Sequence, residues 1–194
     1  MAVRDPLEPA ASRHPVTTDD APARLEAAEA ILGHRFARSS LLTEALTHRS
    51  AAHGKRGSHR PGERRGVGSN ERLEFMGDRV LGLVMAEWLI ERFPEEQEGE
   101  LALRLAHLVS HRVLAQIAEA VGLAQAVAVA PNEARAGVGS LVTVLADAME
   151  AALGALYLDA GLDAARRFVR GAWGDAMTGL VLPPKDPKTG LQEW

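Results

Sequence analysis

The chain has no cysteine among its 194 residues, so neither a disulfide framework nor a thiolate metal site is open to it. Nothing in it requires an oxidising compartment, and a cytoplasmic location is the simplest reading. It also lacks an apolar run of membrane-spanning length. The opening MAVRDPLEPAASRHPVTTDD carries prolines and acids where a secretory leader needs an apolar centre, and residues 1–22 read as a disordered tail. Positive charge is short overall. A net charge of −4 argues against a general nucleic-acid binder, which shows a basic footprint. The sign is unevenly spread, however: HGKRGSHRPGERRG (53–66) is strongly basic, and the segments after it are rich in Glu and Asp. By composition alone that stretch is a solvated, flexible loop.

What is present is a core. With 46% hydrophobic residues the chain supports one globular domain, placed at 23–179, with tails on either side. Leu25, Ala28, Ile31 and Leu32 have helical spacing and stop at Gly33. A short helix follows Ser39 or Ser40 through LLTEALTH. Leu73, Met76, Val80, Val84 and Trp88 predict a long amphipathic helix from Ser69 to about Phe93, ended by Pro94. Leu101, Leu105, Leu108, Ile117 and Val121 predict one helix over about 98–121. Pro131, Gly137 and Gly139 mark an irregular connection. LVTVLADAMEAALGALYLD reads as a buried helix before Gly161, and a last helix is expected over about 162–177. LPPKDPKTG reads as a linker, beginning at about residue 180. There is no internal repeat, and only AVAVA (126–130) hints at a strand, so the expected fold class is all-α.

Two stripes of acids stand out. Positions three and four apart are neighbours on a helix, so Glu71, Glu74 and Asp78 line one face, and Asp147 and Glu150 line another. Both stripes border apolar residues. A carboxylate beside a core is protonated, paired or metal-bound, and no Lys or Arg lies within one turn of Asp147 or Glu150. Gly77 and Gly154 sit inside these helices, where glycine costs roughly 1 kcal/mol against alanine. The cost is tolerable where two backbones approach closely. If the helices cross there, Glu74, Asp78, Asp147 and Glu150 converge on one point. Four oxygen donors without His or Cys suit a hard cation, Mg²⁺ or Mn²⁺. Spacing alone also allows ordinary solubilising acids at the edge of an amphipathic helix.

NERLEFMGDRVLG (70–82) closely resembles the signature of bacterial ribonuclease III, and LADAMEAALGALYLD (145–159) resembles that family's second conserved block. ALTHRS (45–50) and FPEEQEGEL (93–101) fall in the family's order. KDPKTGLQEW (185–194) is similar to the linker that leads to its double-stranded RNA binding domain, so residues 180–194 are expected to be linker and the start of that absent domain. The resemblance implies the family's helical endonuclease fold, working as a two-fold symmetric dimer. It also implies a Mg²⁺-dependent endonuclease, with Mn²⁺ able to substitute, that cuts both strands of duplex RNA in precursor processing. Water attack would leave 5′-phosphate and 3′-hydroxyl ends. By position, Glu74, Asp78, Asp147 and Glu150 become the metal cluster, with Asp78 and Glu150 catalytic: Glu150 bridging the metal region, Asp78 orienting the attacking water. Glu71 and Glu98 match outer acidic positions and take supporting roles.

The implied partners are duplex RNA and a second copy of the chain, with no membrane and no small-molecule cofactor. Metal charge would offset part of the −4, and duplex RNA is read mainly by shape, phosphates and 2′-hydroxyls. The loop over about 53–68 is longer and more basic than usual in the family, which makes Lys55, Arg56, Arg60, Arg64 and Arg65 candidate RNA contacts. ALRLAHLVSH is less basic than the family's segment there. APNEARAGVGS replaces a more glycine-rich connection. His107 and His111 have the spacing of a helical zinc pair, but residue 108 is Leu and no third ligand is evident, so zinc is set aside. The alternative from another class is a duplex RNA-binding regulator that keeps the fold without cutting; all four acids are present, which favours catalysis.

Overall fold

The computed structural model describes residues 21–54 and 68–180. Residues 1–20 of the expected tail, the basic loop from 55 to 67 and the segment after 180 lie outside the described residues. Among the rest the architecture is all-α. The helices are α1 (Ala21–Leu32), α2 (Ser39–Ala45), α3 (Arg49–Gly54), α4 (Glu71–Arg92), α5 (Glu98–Leu108), α6 (His111–Ala120), α7 (Pro131–Arg135), α8 (Val142–Ala160), α9 (Leu162–Ala172) and α10 (Gly174–Thr178). The hint of a strand in AVAVA amounts to one isolated parallel bridge between Ala128 and Thr47.

The most apolar segment becomes α8, and it is buried on all sides from Val144 to Leu156 apart from Asp147. A helix that is hydrophobic around its whole circumference belongs in the centre of a domain. The other helices pack round it. α4 runs antiparallel to α8, Leu73 lying against Gly154 and Gly77 against Glu150. A Cβ on Gly77 would fall on the carbonyl of Glu150, and one on Gly154 on the carbonyl of Leu73. The close crossing expected from the two glycines is therefore present.

Two expected helices are each divided. The stretch over 98–121 breaks at Val109 and Ser110, where the Ser110 hydroxyl accepts from the Val113 amide at 3.4 Å and caps α6. The break frees the Leu108 carbonyl, which takes the indole N–H of the buried Trp173 at 3.1 Å. His107 and His111 thus straddle a turn and do not share a helix. The last helix divides at Trp173 into α9 and α10. The short helices α3 and α7 were not anticipated; α7 starts on Pro131, a residue whose fixed φ suits a first helical position.

Leu180, expected to open the linker, belongs to the core and is only 8% exposed. Its carbonyl accepts from Arg104 at 2.7 Å. Arg104, itself 1% exposed, is bound by Glu96 (Nε to Oε2, 2.7 Å) and stacks on Phe93 at 3.8 Å. A buried guanidinium is tolerable because each of its three nitrogens donates a hydrogen bond and its face is stacked.

At the far end of α8, Asp159 is nearly inaccessible and receives His34 Nε2 at 2.8 Å, the Ala37 amide at 2.9 Å and the Arg38 amide at 3.1 Å. Burial pushes its carboxyl up, but these bonds prevail and hold it at about 2. A carboxyl depressed on folding stabilises the fold above its unfolded value and loses that contribution as pH falls through the folded value. Asp159→Asn should therefore cost about 2 kcal/mol at pH 7 and progressively less between about pH 4 and pH 2, read by urea denaturation at each pH.

Candidate active site

Helices α4 and α8 each deliver acids to the same place. Glu74, one turn into α4, and Asp147 and Glu150, one turn apart on α8, each offer a carboxylate oxygen within 4.8 Å of the others. Glu150 is 6% exposed; Glu74 and Asp147 are half-buried. Among the described residues no Lys or Arg forms an ion pair with any of the three. Burial, then Asp147 and Glu71, raises the Glu74 carboxyl. Burial raises Asp147, against which His111, His48 and Arg49 act. Glu150 is pushed up to about 8, by burial first and then by Asp78, Glu74 and Asp147, with Arg79 opposing.

Three buried or half-buried carboxylates that repel one another leave a deficit of positive charge. Oxygen donors with that deficit fit a divalent hard cation such as Mg²⁺.

The other predicted acids sit apart from this trio. Asp78 is half-exposed and bonded to Arg79 at 2.6 Å, and it lies outside the group of three, yet it is the leading charge acting on Glu150. Glu71 is exposed and accepts the Ser69 hydroxyl at 3.0 Å. Glu98 is exposed at the first position of α5. Lys55, Arg56, Arg60, Arg64 and Arg65 lie outside the described residues. Sequence reasoning did not place three basic side chains beside the acids: His48 and Arg49, from ALTHRS, and His111. The one signal for the first two was that this hexapeptide has its own place in the family's order.

A groove of about 430 Å³ between α1, α6 and α9, lined by Ile31, His34, Val121, Arg167 and Phe168 among others, does not include the acids.

The comparisons with known proteins decide the family. A family model described as Ribonuclease-III-like matches residues 38–173. The chain belongs to the ribonuclease III family. It is 42% identical over 190 residues to a ribonuclease 3 of Nitrobacter winogradskyi, covering 98% of this chain and 68% of that one. A ribonuclease 3 of Caulobacter vibrioides is 44% identical over 164 residues, covering 84% and 67%. The nuclease domain of ribonuclease III from Campylobacter jejuni, solved in a study of flexibility in a region involved in its dimer formation, superposes with a TM-score of 0.67 at 32% identity over 78% of this chain and 96% of that one. A 2.2 Å crystal structure of the same domain gives 0.65, covering 83% and 97%. The chain is thus an endoribonuclease domain of ribonuclease III type, and the signature NERLEFMGD is the N-terminal part of α4 with its preceding residue.

Proposed function

We propose that this chain is a Mg²⁺-dependent endoribonuclease that cuts both strands of duplex RNA, leaving 5′-phosphate and 3′-hydroxyl ends, and that it works as a homodimer. The observation that carries the reading is the convergence of Glu74, Asp147 and Glu150 from two helices, with Glu150 pushed up to about 8. Those three residues would hold the metal, and Asp78 would join them once its carboxylate leaves Arg79. When bound there, Mg²⁺ supplies positive charge to the phosphate and acidifies a water for in-line attack.

The chain's own residues do the rest. Glu150, nearly enclosed, gives up its proton on binding the cation, so affinity should rise with pH up to about 8. Asp78 is free on its exposed side to accept a hydrogen bond from the attacking water. Glu71, hydrogen-bonded to Ser69, adds negative charge beside Glu74. The acids lie outside the groove between α1, α6 and α9, and a duplex is too large for a pocket of that kind. The dimer is supported by α4 itself, where Phe75 and Leu83 are 61% and 58% exposed. Large apolar groups eight residues apart on one face form a patch that a two-fold partner can cover.

Incubation with a long RNA duplex in low salt, with and without Mg²⁺ and beside single-stranded RNA, tests the reading. Metal-dependent cutting of the duplex alone is expected. Binding without cutting would favour the non-catalytic regulator.

A further inference from the structure

Residues 46–50 form a fixed backbone pedestal beside the acids. The His48 amide donates to the Ala128 carbonyl at 2.9 Å, and the Ala128 amide to the Leu46 carbonyl at 2.7 Å. Ser50 Oγ accepts from the Ala130 amide at 3.1 Å and lies 2.9 Å from His48 Nδ1. On the other side, the Asn70 amide donates to the Thr47 carbonyl at 3.0 Å. Asn70 immediately precedes α4, so this bond sets the start of α3 against the turn that carries Glu71 and Glu74. Arg49 is the first residue of α3 and is exposed.

Its charge reaches the acids: at both Glu74 and Asp147 it opposes, weakly, the burial that raises their carboxyls. That placement is costly for a metal site, since a guanidinium repels the cation the acids are arranged to hold. It is useful for a ligand that is anionic and arrives together with the metal. A guanidinium matches two oxygens of a phosphate with two parallel N–H donors, and holding the backbone beneath it confines the ordering cost to one side chain. His111, exposed at the start of α6, approaches the same two acids from a different element.

We propose that Arg49 binds a backbone phosphate of duplex RNA beside the three-acid centre and so sets the strand against it. The role rests on the nuclease reading above and names the part of the substrate held at its edge. Side-chain contact with phosphate carries no base information, so Arg49 should add affinity without sequence preference.

The test is the affinity of the full chain for a fluorescein-labelled 30-base-pair RNA duplex with Ca²⁺ in place of Mg²⁺, by anisotropy between 50 and 200 mM KCl. Arg49→Ala should weaken binding about tenfold and flatten the plot of log K against log[salt] by about 0.9, one phosphate contact. Arg49→Lys should keep the slope. Mn²⁺ affinity of the Ala variant without RNA, by electron paramagnetic resonance, should be equal or tighter, and its thermal midpoint unchanged. Equal affinities and slopes, no duplex binding by the unmodified chain, or a lowered midpoint with weaker Mn²⁺ binding would overturn the proposal. Cutting by the unmodified chain with Mg²⁺ is scored separately: binding without cutting sinks the nuclease reading and leaves the Arg49 result standing.

Discussion

Glu150→Gln should abolish metal-dependent cutting and, in the same protein, raise the stability of the metal-free fold at alkaline pH. The first effect follows from the proposed function, in which Glu150 would be one of the groups that hold the metal. A loss of about 10³-fold or more in kcat is expected, equivalent to about 4 kcal/mol of transition-state stabilisation. The second follows from the carboxyl at about 8. A carboxyl raised on folding makes the folded state bind more protons than the unfolded chain. Stability therefore falls as pH rises from the ordinary carboxylate range, near 4.5, towards 8, and stays low above it. Gln keeps the shape and carries no charge at any pH. It should recover roughly 3 kcal/mol at pH 9, less than the full shift because Asp78, Glu74 and Asp147 share the penalty. Thermal melts of the two proteins in EDTA at pH 5 and pH 9 decide it: near-equal midpoints at pH 5 and a higher midpoint for the variant at pH 9. Added Mg²⁺ should reverse the order by stabilising the unmodified protein alone. A variant less stable than its parent at pH 9 without metal would show that Glu150 is paired rather than strained.

Gly154→Ala, like Gly77→Ala, is expected to be among the most damaging single methyl additions in the fold. Alanine in a helix interior ordinarily gains up to about 1 kcal/mol over glycine. Here the added carbon falls on the Leu73 carbonyl, a main-chain atom that no rotamer can move aside. The helices must separate, and the closely packed faces of α4 and α8 separate with them. A loss of about 3 kcal/mol or more is a large part of the 5–15 kcal/mol that keeps a domain folded. Gly171→Ala supplies the contrast, because that glycine is exposed in α9 with nothing near its added carbon. It should be neutral or gain up to about 0.5 kcal/mol. Chemical denaturation of both variants checks the pair; similar stabilities would mean that the crossing yields easily.

The same two glycines explain why so much of the site was legible. A residue that weakens a helix, placed one turn from an acid on each of two helices, locates both the crossing and the carboxylates beside it. Glu74, Asp147 and Glu150 are three of the four acids this pattern singled out, although spacing alone equally allowed solubilising acids. Asp78 shows where spacing stops: it shares the stripe of Glu74, but its carboxylate is held by the adjacent Arg79, an i,i+1 partner that helical periodicity does not consider. Arg49 and His48 lie more than twenty residues before Glu71, and only the tertiary bonds through Thr47, Ala128 and Ala130 bring them to the acids. The break at Ser110 was hidden for a different reason. Leu101, Leu105, Leu108, Ile117 and Val121 keep their period across it, because both halves face the same core. What divides them is a hydroxyl cap and an indole more than sixty residues away.

The glycine crossing also bears on tolerance in the dimensional sense. Wherever side chains separate two helices, the gap between their axes drifts as the residues change, by an ångström or more for a different aliphatic group. Between α4 and α8 at Gly77 and Gly154 only main-chain atoms intervene. The spacing there is set by the radii of nitrogen, carbon and oxygen, and substitution elsewhere in the core leaves that gauge unchanged. The acids mounted one turn to either side inherit its precision, so the opening between Glu74 and Glu150 can hold its dimensions while the surrounding sequence is free to vary.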